Sequence, residues 1–150
     1  MDSKRPALRL DNQICFAVYA TAHAFNRAYK PLLEPLGLTY PQYLVMMVLW
    51  ERNELLVKDI GHRLELDSGT LSPLLKRLEK SGLLERRRNH TDEREVFIRL
   101  TENGRKLESD AQSIMPEILR LTACGIDELG VLRDRLNMLR DNLMNRSEPA

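Results

Sequence analysis

Two cysteines, Cys15 and Cys124, are the residues of this sequence best suited to covalent chemistry. Asp11 or Asn12 can cap a helix that would place Cys15 in its first turns, where the positive end of the helix dipole favours a thiolate. Tyr19 lies one turn further on, and its hydroxyl can donate a hydrogen bond that stabilises the thiolate and raises its reactivity. Such a thiolate reduces a peroxide and becomes a sulfenic acid, which a second thiol can capture as a disulfide. The only other thiol in the sequence is that of Cys124.

The cysteines also have an inert interpretation. Two isolated cysteines in a cytosolic protein do not predict a structural disulfide, and buried thiols commonly act as small apolar side chains. No metal site is predicted, because none of the three histidines shares a spacing with either cysteine; they are His23, His62 and His90. From the residues alone, both interpretations remain open.

Tyr29 falls on the same predicted helix face as Cys15, but far along the axis. The separation is about 21 Å at a rise of ~1.5 Å per residue. If Tyr29 serves Cys15, it must come from an antiparallel helix of a second copy, which implies a dimer.

The stretch Leu66–Leu100 predicts the element that organises the chain, a helix followed by a two-stranded hairpin. Apolar residues recur at helical spacing on one face of this helix, and a mainly basic set follows the opposite face: Leu71, Leu74, Leu75 and Leu78 against Pro73, Lys76, Arg77 and Lys80. After Ser81-Gly82, the segments Leu83–Arg88 and Val96–Leu100 are typical of paired strands.

A shorter apolar stripe, Val57, Ile60 and Leu64, precedes this helix, with a turn at Asp67-Ser68-Gly69. The order of short helix, turn, basic helix and hairpin predicts a winged helix-turn-helix, whose basic helix suits a DNA major groove and whose arginine-bearing tip suits a minor groove. The alternative is a solvated amphipathic helix beside an ordinary hairpin. Pro73 either marks a helix start near Thr70 or kinks the first turns.

Long helices are predicted on both sides of this segment. The first runs toward Tyr29, and Pro31 and Pro35 then interrupt it. For the next helix, Thr39 and Gln42 fit a capping box. The apolar run Tyr43–Trp50 that follows should be the buried centre of the domain. Leu55–Val57 is a candidate strand that could join the hairpin. Thr101 caps a third helix, which Pro116 should bend and Gly125 should break. A heptad-like seam follows, and we favour dimerisation over intrachain core for its residues Leu129, Leu132, Leu136, Leu139 and Leu143.

The composition fits one soluble domain, residues 1–150, with 43% hydrophobic and 30% charged residues. No run is long and apolar enough for a bilayer, and the polar start MDSKRPALRLDNQ is not a signal peptide, so we expect a cytoplasmic protein without membrane contact. The net charge is only +1, and residues 58–99 carry 10 Lys/Arg against 8 Asp/Glu. A dimer would double the phosphate contacts of so weakly basic a domain.

Several motifs resemble those of the MarR family of winged-helix repressors, and more narrowly the organic-hydroperoxide-resistance regulators. The matching segments are Gln13-Ile14-Cys15-Phe16 with Tyr19, Tyr29-Lys30-Pro31-Leu32, Thr39-Tyr40-Pro41-Gln42-Tyr43-Leu44, Leu49-Trp50-Glu51, Leu66–Leu78, Gly82-Leu83, Asp92-Glu93-Arg94 and Leu100-Thr101. The resemblance implies a mainly α-helical fold with a small β-hairpin wing, with the winged helix-turn-helix over about 55–100 and dimerisation helices over about 11–36 and 102–145.

The resemblance also implies residue roles. Cys15 would be the peroxidatic sensor, with Tyr29 and Tyr40 hydrogen-bonding its sulfur across the dimer and Tyr19 lining the same pocket. Cys124 would make this a two-cysteine type, whose resolving cysteine bonds to Cys15 of the other subunit; a disulfide within one chain stays open. The implied major-groove residues are Ser68, Gly69, Thr70, Ser72, Lys76 and Arg77, while Arg94 would meet the minor groove, braced by Asp92.

The expected function is that of a homodimeric transcriptional repressor that binds operator DNA, senses organic hydroperoxides at Cys15 and is released through a disulfide with Cys124. No cofactor is expected. One alternative is a repressor of the same family that responds to a non-covalent small aromatic ligand. The other is an enzyme, a thiol peroxidase, which we disfavour because no Thr/Arg constellation of the kind found in peroxidases accompanies Cys15.

Overall fold

The computed structural model of the protein describes residues 6–145. The chain forms two compact units, Met1–Ile114 and Met115–Ala150. None of the helices within residues 6–145 combines the length and the apolar character that a bilayer crossing requires.

The first long helix, α1, spans Ile14–Leu33 and follows two short 3-10 turns. The prediction that Asp11 or Asn12 caps it is wrong, because both lie in a 3-10 turn and the N-cap is Gln13, whose side chain makes no capping bond. The prediction that Pro31 interrupts the helix is also wrong. Pro31 lies inside the last turn, and the chain leaves only after Leu33, through a 3-10 turn that ends at Gly37 with φ 69°.

Helix α2 spans Tyr40–Arg52 and begins with the predicted capping box. The Gln42 backbone N–H donates to the Thr39 hydroxyl at 3.4 Å, and the Thr39 N–H donates to the Gln42 side chain at 3.0 Å. The apolar run after this cap is buried, as predicted, with Val45, Met46 and Leu49 fully enclosed. This helix is therefore the centre on which the first unit packs.

The winged helix-turn-helix is present in the predicted order. It consists of β1 (Glu54–Leu56), α3 (Val57–Leu64), α4 (Ser68–Lys80), β2 (Leu84–Arg88) and β3 (Val96–Leu100). The three strands form an antiparallel sheet in the order β1-β3-β2, so the predicted short strand does join the hairpin.

Helix α4 begins earlier than Pro73 suggested. The Asp67 carboxylate accepts a hydrogen bond from the Thr70 N–H at 2.7 Å, so the helix starts at Ser68 and continues through Pro73. Proline removes one backbone donor there. The helix is retained because its apolar face, Leu71, Leu75 and Leu78, is buried against the first unit's core.

The C-terminal region contains three helices, α5 (Glu102–Ala111), α6 (Ile114–Thr122) and α7 (Ile126–Asn145). Thr101 caps α5, as predicted, by accepting from the Gly104 N–H at 3.1 Å. Pro116 does not bend a continuous helix. The helix is interrupted before it, between Ala111 and Ile114, and Pro116 falls in the first turn of α6, where a missing N–H breaks no helical bond.

Helix α7 carries the predicted leucine seam on an uncovered surface. It starts just after Gly125, and none of its residues is buried. The exposed fractions of Leu132, Leu136 and Leu139 are 52%, 41% and 37%. The described part of one chain therefore leaves this apolar face open.

Candidate functional site

Cys15 is the second residue of α1, and its side chain is exposed. The first turn of a helix has backbone N–H groups without helical partners, which together with the dipole favour negative charge. An exposed thiol at this position is reachable by a small oxidant. The position in the first turns was predicted from the sequence, whereas the exposure of the thiol is a finding of the structure.

Tyr19 lies one turn beyond Cys15, and 63% of its surface is exposed. Its ring meets the His23 ring edge-on, with 4.4 Å between the centroids. The sequence interpretation did not pair these residues, although their spacing of one helical turn gave the signal.

Tyr29 and Tyr40 come together at the other end of α1, with ring centroids 4.6 Å apart. Tyr43 joins them, at 5.9 Å from Tyr29, and was not predicted as part of the site. Its ring in turn contacts Trp50 at 6.1 Å. Tyr29 is only 6% exposed, so this tyrosine cluster forms one wall of the interior where α1 meets α2.

The environment of the tyrosine cluster keeps its hydroxyls protonated. Burial, helped by the neighbouring phenols Tyr40 and Tyr43, raises the pKa of Tyr29 to about 12. Burial also raises the pKa of Tyr40 and of Tyr43. A protonated phenol donates a hydrogen bond, so the cluster can stabilise an anion such as a thiolate but cannot act as a base at neutral pH.

An open groove of about 490 Å³ lies beside Tyr40, between the end of α1 and the start of α2. Its lining is mixed, with apolar residues next to one cation and one anion: Asn26, Lys30, Leu33, Glu34, Leu38, Thr39, Tyr40 and Pro41. This groove is large enough to admit a small organic molecule to the tyrosine cluster.

Within the first unit, one chain does not bring Cys15 to Tyr29 or Tyr40. No hydrogen bond joins the Cys15 sulfur to Tyr29 or Tyr40 within residues 6–145. Cys15 and Tyr29 are about 21 Å apart along α1 by helical rise. Cys124 belongs to the second unit, is exposed, and lies between α6 and α7, where its N–H donates to the Thr122 hydroxyl at 3.3 Å.

The predicted DNA-contacting residues of α4 form one outward face. Ser68, Gly69, Thr70, Lys76 and Arg77 are exposed, and Ser72 is half-buried. The opposite face of α4 supplies core leucines, so the helix is fixed while its polar N-terminal half stays open.

The wing tip, residues 90–94, is held by local hydrogen bonds. Arg94 is exposed, and its backbone N–H donates to the Asp92 carboxylate at 3.0 Å. This hydrogen bond joins the Asp92 side chain to the backbone of Arg94.

Comparison with known proteins decides the family. A family model described as transcriptional regulator SarA/Rot matches residues 27–111. The chain is 54% identical, over 92% of its own length and 71% of the relative's, to the HTH-type transcriptional regulator TtmR of Methylorubrum extorquens. It is 44% identical, over 98% of its length and 100% of the relative's, to the organic hydroperoxide resistance transcriptional regulator of Bacillus subtilis.

The chain belongs to the MarR family of winged-helix, DNA-binding transcriptional regulators. The structure of reduced AbfR bound to DNA is similar over 94% of this chain and 99% of that one, with a TM-score of 0.77 and 36% identity. AbfR, a protein of Staphylococcus epidermidis, has also been solved with a disulfide formed; that form covers 91% of this chain and 96% of its own, at a TM-score of 0.64 and 38% identity. These findings confirm the resemblance and the fold that the motifs predicted.

In this MarR-family chain, a cleft of about 300 Å³ separates α4 from the wing. Three cations line it, Lys58, Arg86 and Arg94. The Arg86 guanidinium donates to the Ser72 carbonyl at 3.3 Å and so joins β2 to α4. Sequence reasoning missed Lys58 and Arg86, because their position at the cleft depends on how the sheet folds back on the helices.

Proposed function

We propose that this protein is a homodimeric repressor that senses organic hydroperoxides through oxidation of Cys15 and then releases its operator. The observation that carries the proposal is the exposed Cys15 thiol in the first turn of α1. The full-length relative named for organic hydroperoxide resistance supports it, as does the existence of reduced and disulfide forms of the similar AbfR.

The dimer in this proposal covers apolar surface that one chain leaves open. On α1, Ile14, Phe16 and Val18 are 66%, 40% and 41% exposed, and α7 presents its leucine seam. Exposed apolar surface of this extent marks an interaction face. With the partner's α1 antiparallel, the partner's tyrosine cluster would reach the Cys15 sulfur, and protonated phenols would stabilise its thiolate.

The chemistry requires one hydroperoxide per site. The Cys15 thiolate attacks one peroxide oxygen, the O–O bond breaks, and an alkoxide leaves and takes a proton to give the alcohol. Cys15 is then a sulfenic acid. The thiol of Cys124, which we assign to the other subunit, attacks that sulfur, forms a disulfide and expels water. Two equivalents of an external thiol then reduce this disulfide to the free thiols of Cys15 and Cys124 and are themselves joined as a disulfide.

DNA binding in this proposal uses two copies of the winged helix-turn-helix. Each α4 would enter the major groove of one half-site with Ser68, Gly69, Thr70, Ser72, Lys76 and Arg77, and each Arg94 would enter a minor groove. The disulfide would favour a dimer in which the two α4 helices no longer match the half-site spacing, so operator affinity falls.

A mobility-shift experiment tests the proposal. DNA from upstream of the protein's own gene is titrated at fixed salt, with and without one equivalent of cumene hydroperoxide, and then with dithiothreitol. We expect binding to be lost on oxidation and restored by the reductant. Operator binding that is unchanged by the peroxide would exclude Cys15 as the sensor but would still support DNA binding by the winged helix-turn-helix.

One observation favours a second candidate, a regulator that responds to a non-covalent aromatic acid. The groove beside Tyr40 contains the Lys30 ammonium next to apolar side chains, which suits a ring bearing a carboxylate. In that case a Cys15→Ala variant would be released from DNA by such ligands as readily as the wild type.

A further inference from the structure

The base of the wing is held by one carboxylate, that of Glu95, which lies directly before β3. Oε1 of Glu95 accepts from the Lys58 ammonium, in the first turn of α3, at 3.1 Å. Oε2 accepts from the side-chain amide of Asn89, the residue directly after β2, at 3.0 Å. The Asn89 backbone N–H also donates to the Glu95 carbonyl at 2.9 Å. Glu95 therefore joins both sides of the wing to each other and to α3.

The wing tip is folded onto this same pair of residues. The Asn89 side-chain oxygen accepts from the Thr91 N–H at 3.1 Å and from the Thr91 hydroxyl at 2.8 Å. The Glu95 N–H donates to the Asp92 carbonyl at 3.0 Å, while the Asp92 carboxylate holds the Arg94 N–H. Arg94 thus lies next to Glu95 in a loop whose backbone is held by these hydrogen bonds, so the position of the Arg94 backbone follows that of the wing base.

Glu95 is ionised under the conditions in which DNA is bound. The hydrogen bonds from Asn89 and then from Lys58 hold the pKa of Glu95 below its usual value. Glu95 in turn raises the pKa of Lys58. The Lys58 side chain is 63% exposed, and ion pairs this open contribute little to folding stability. Removing the pair should therefore leave the fold intact.

We propose that Glu95 is a positioning residue for DNA binding: held between Lys58 and Asn89, it fixes the wing so that Arg94 reaches the minor groove. The inference rests on the DNA-binding role of Arg94 proposed above. A carboxylate near DNA repels phosphates, so charge alone predicts that its removal strengthens binding. Positioning predicts the opposite sign.

Glu95→Gln is the informative variant. A carboxamide has one acceptor oxygen and turns its NH₂ toward the other donor, so it cannot satisfy Lys58 and Asn89 together. We expect operator affinity to fall about three- to tenfold although a negative charge is lost. The slope of log affinity against log salt should also become shallower by about one, because the Arg94 charge is no longer placed in the minor groove.

Glu93→Gln is the matched control, since it removes the same charge from an exposed position of the same loop. It should bind DNA as tightly as the wild type or more tightly. A second comparison uses Arg94→Ala. If Glu95 acts through Arg94, the double variant Arg94→Ala/Glu95→Gln binds no more weakly than Arg94→Ala alone.

Three outcomes would overturn the inference. If Glu95→Gln binds DNA as tightly as Glu93→Gln, or if the double variant binds more weakly than Arg94→Ala alone, positioning through Arg94 is excluded; the second result points to general destabilisation. An Arg94→Ala variant with wild-type affinity and salt slope would instead overturn the proposed role of the wing itself. If Arg94→Ala lowers operator affinity but Glu95→Gln binds like the wild type, only the positioning role of Glu95 is overturned.

Discussion

Tyr19 and Tyr29 lie on the same helix, yet their surroundings give them different chemistry. Tyr19 is 63% exposed, whereas Tyr29 is 6% exposed and its ring lies tilted against that of Tyr40. Burial raises the pKa of Tyr29 to about 12 and so preserves its hydroxyl as a donor. The sequence does not distinguish the two tyrosines. The packing of α1 on α2 makes Tyr29 a buried hydrogen-bond donor and leaves the Tyr19 ring exposed.

Replacing Cys15 tests the sensor directly. Cys15→Ser should bind operator DNA like the wild type but stay bound after hydroperoxide, because serine cannot form a sulfenic acid. Release of this variant by hydroperoxide in a mobility-shift experiment would exclude Cys15 as the sensor.

Cys124→Ser is the companion variant. It should still be released, but dithiothreitol should restore less binding, because a sulfenate without a second thiol oxidises further to the sulfinic acid. Mass spectrometry of the oxidised variant should show oxygen added at Cys15. A disulfide between two copies of Cys15 would contradict the role assigned to Cys124.

The raised pKa of Tyr29 predicts a loss of stability in alkali. Between a pH of about 10, where an unfolded tyrosine ionises, and about 12, the folded chain keeps a proton that the unfolded chain has lost. Stability is therefore complete below the unfolded pKa and falls as the pH rises through this window. Tyr29→Phe should show a smaller fall.

Urea unfolding at several pH values measures this difference. Tyr19→Phe is the control, because the Tyr19 ring is exposed. The free energy of unfolding of this variant should vary with pH as that of the wild type does. Equal pH dependence for Tyr29→Phe and Tyr19→Phe would show that the Tyr29 hydroxyl does not titrate as its burial requires.

At the scale of elements, the sequence was most informative where structure is set locally. The Thr39/Gln42 box and the Thr101 cap need only neighbouring residues, and both formed as predicted. The path of α1 through Pro31 was not foreseen, because the burial of Leu33 outweighs one lost backbone bond. The pair Lys58–Glu95 could not be predicted from spacing, since the fold of the sheet brings its members together.

The same distinction applies to the candidate site. Cys15, Tyr29 and Tyr40 were identified from motifs, and the contact of Tyr29 with Tyr40 follows from the turn between α1 and α2. Tyr43 was assigned to the core alone, although its ring also joins the tyrosine cluster. Helical periodicity gives the face of a residue but not which neighbouring helix that face meets.

Gly104 allows α5 to approach the start of the hairpin closely. A Cβ at this position would lie 2.1 Å from the Leu83 carbonyl oxygen and 3.0 Å from a Leu100 methyl. The Trp50 indole N–H donates to the Gly104 carbonyl at 2.9 Å, so the same residue also joins α5 to α2. Gly104→Ala should lower the free energy of unfolding by about 1–3 kcal/mol.

Urea unfolding at a fixed protomer concentration measures the effect. Gly130→Ala on α7 is the control, because a Cβ there meets no atom within 4 Å. It should raise stability by about 0.5–1 kcal/mol, since alanine is the better helix former. A Gly104→Ala protein as stable as the wild type would contradict the close approach.

At the scale of the whole molecule, the described chain leaves apolar surface uncovered on both long helices. No residue of α7 is buried, and apolar residues of α1 are also exposed. Two copies would cover these faces and double the number of phosphate contacts, which suits a chain with a net charge of only +1.

Leu136→Asp tests the assembly. A carboxylate on the leucine seam would have to be desolvated at the interface, so the dimer should dissociate and operator binding should weaken. Light scattering after size-exclusion chromatography gives the mass. Asn137→Asp adds the same charge at the next position of α7 and should remain dimeric. A dimeric Leu136→Asp protein would place the interface elsewhere.

The strand order β1-β3-β2 sets a sequence of events during synthesis. Strand β3 is the shared partner, so neither β1 nor β2 can enter the sheet until residues 96–100 have left the ribosome. Helices α3 and α4 lie within the loop that the β1–β3 pair closes, and closing a loop of this length carries an entropic penalty. The surface that reads DNA is therefore completed late, and a nascent chain paused before β3 would carry two unpaired strands open to association with other chains.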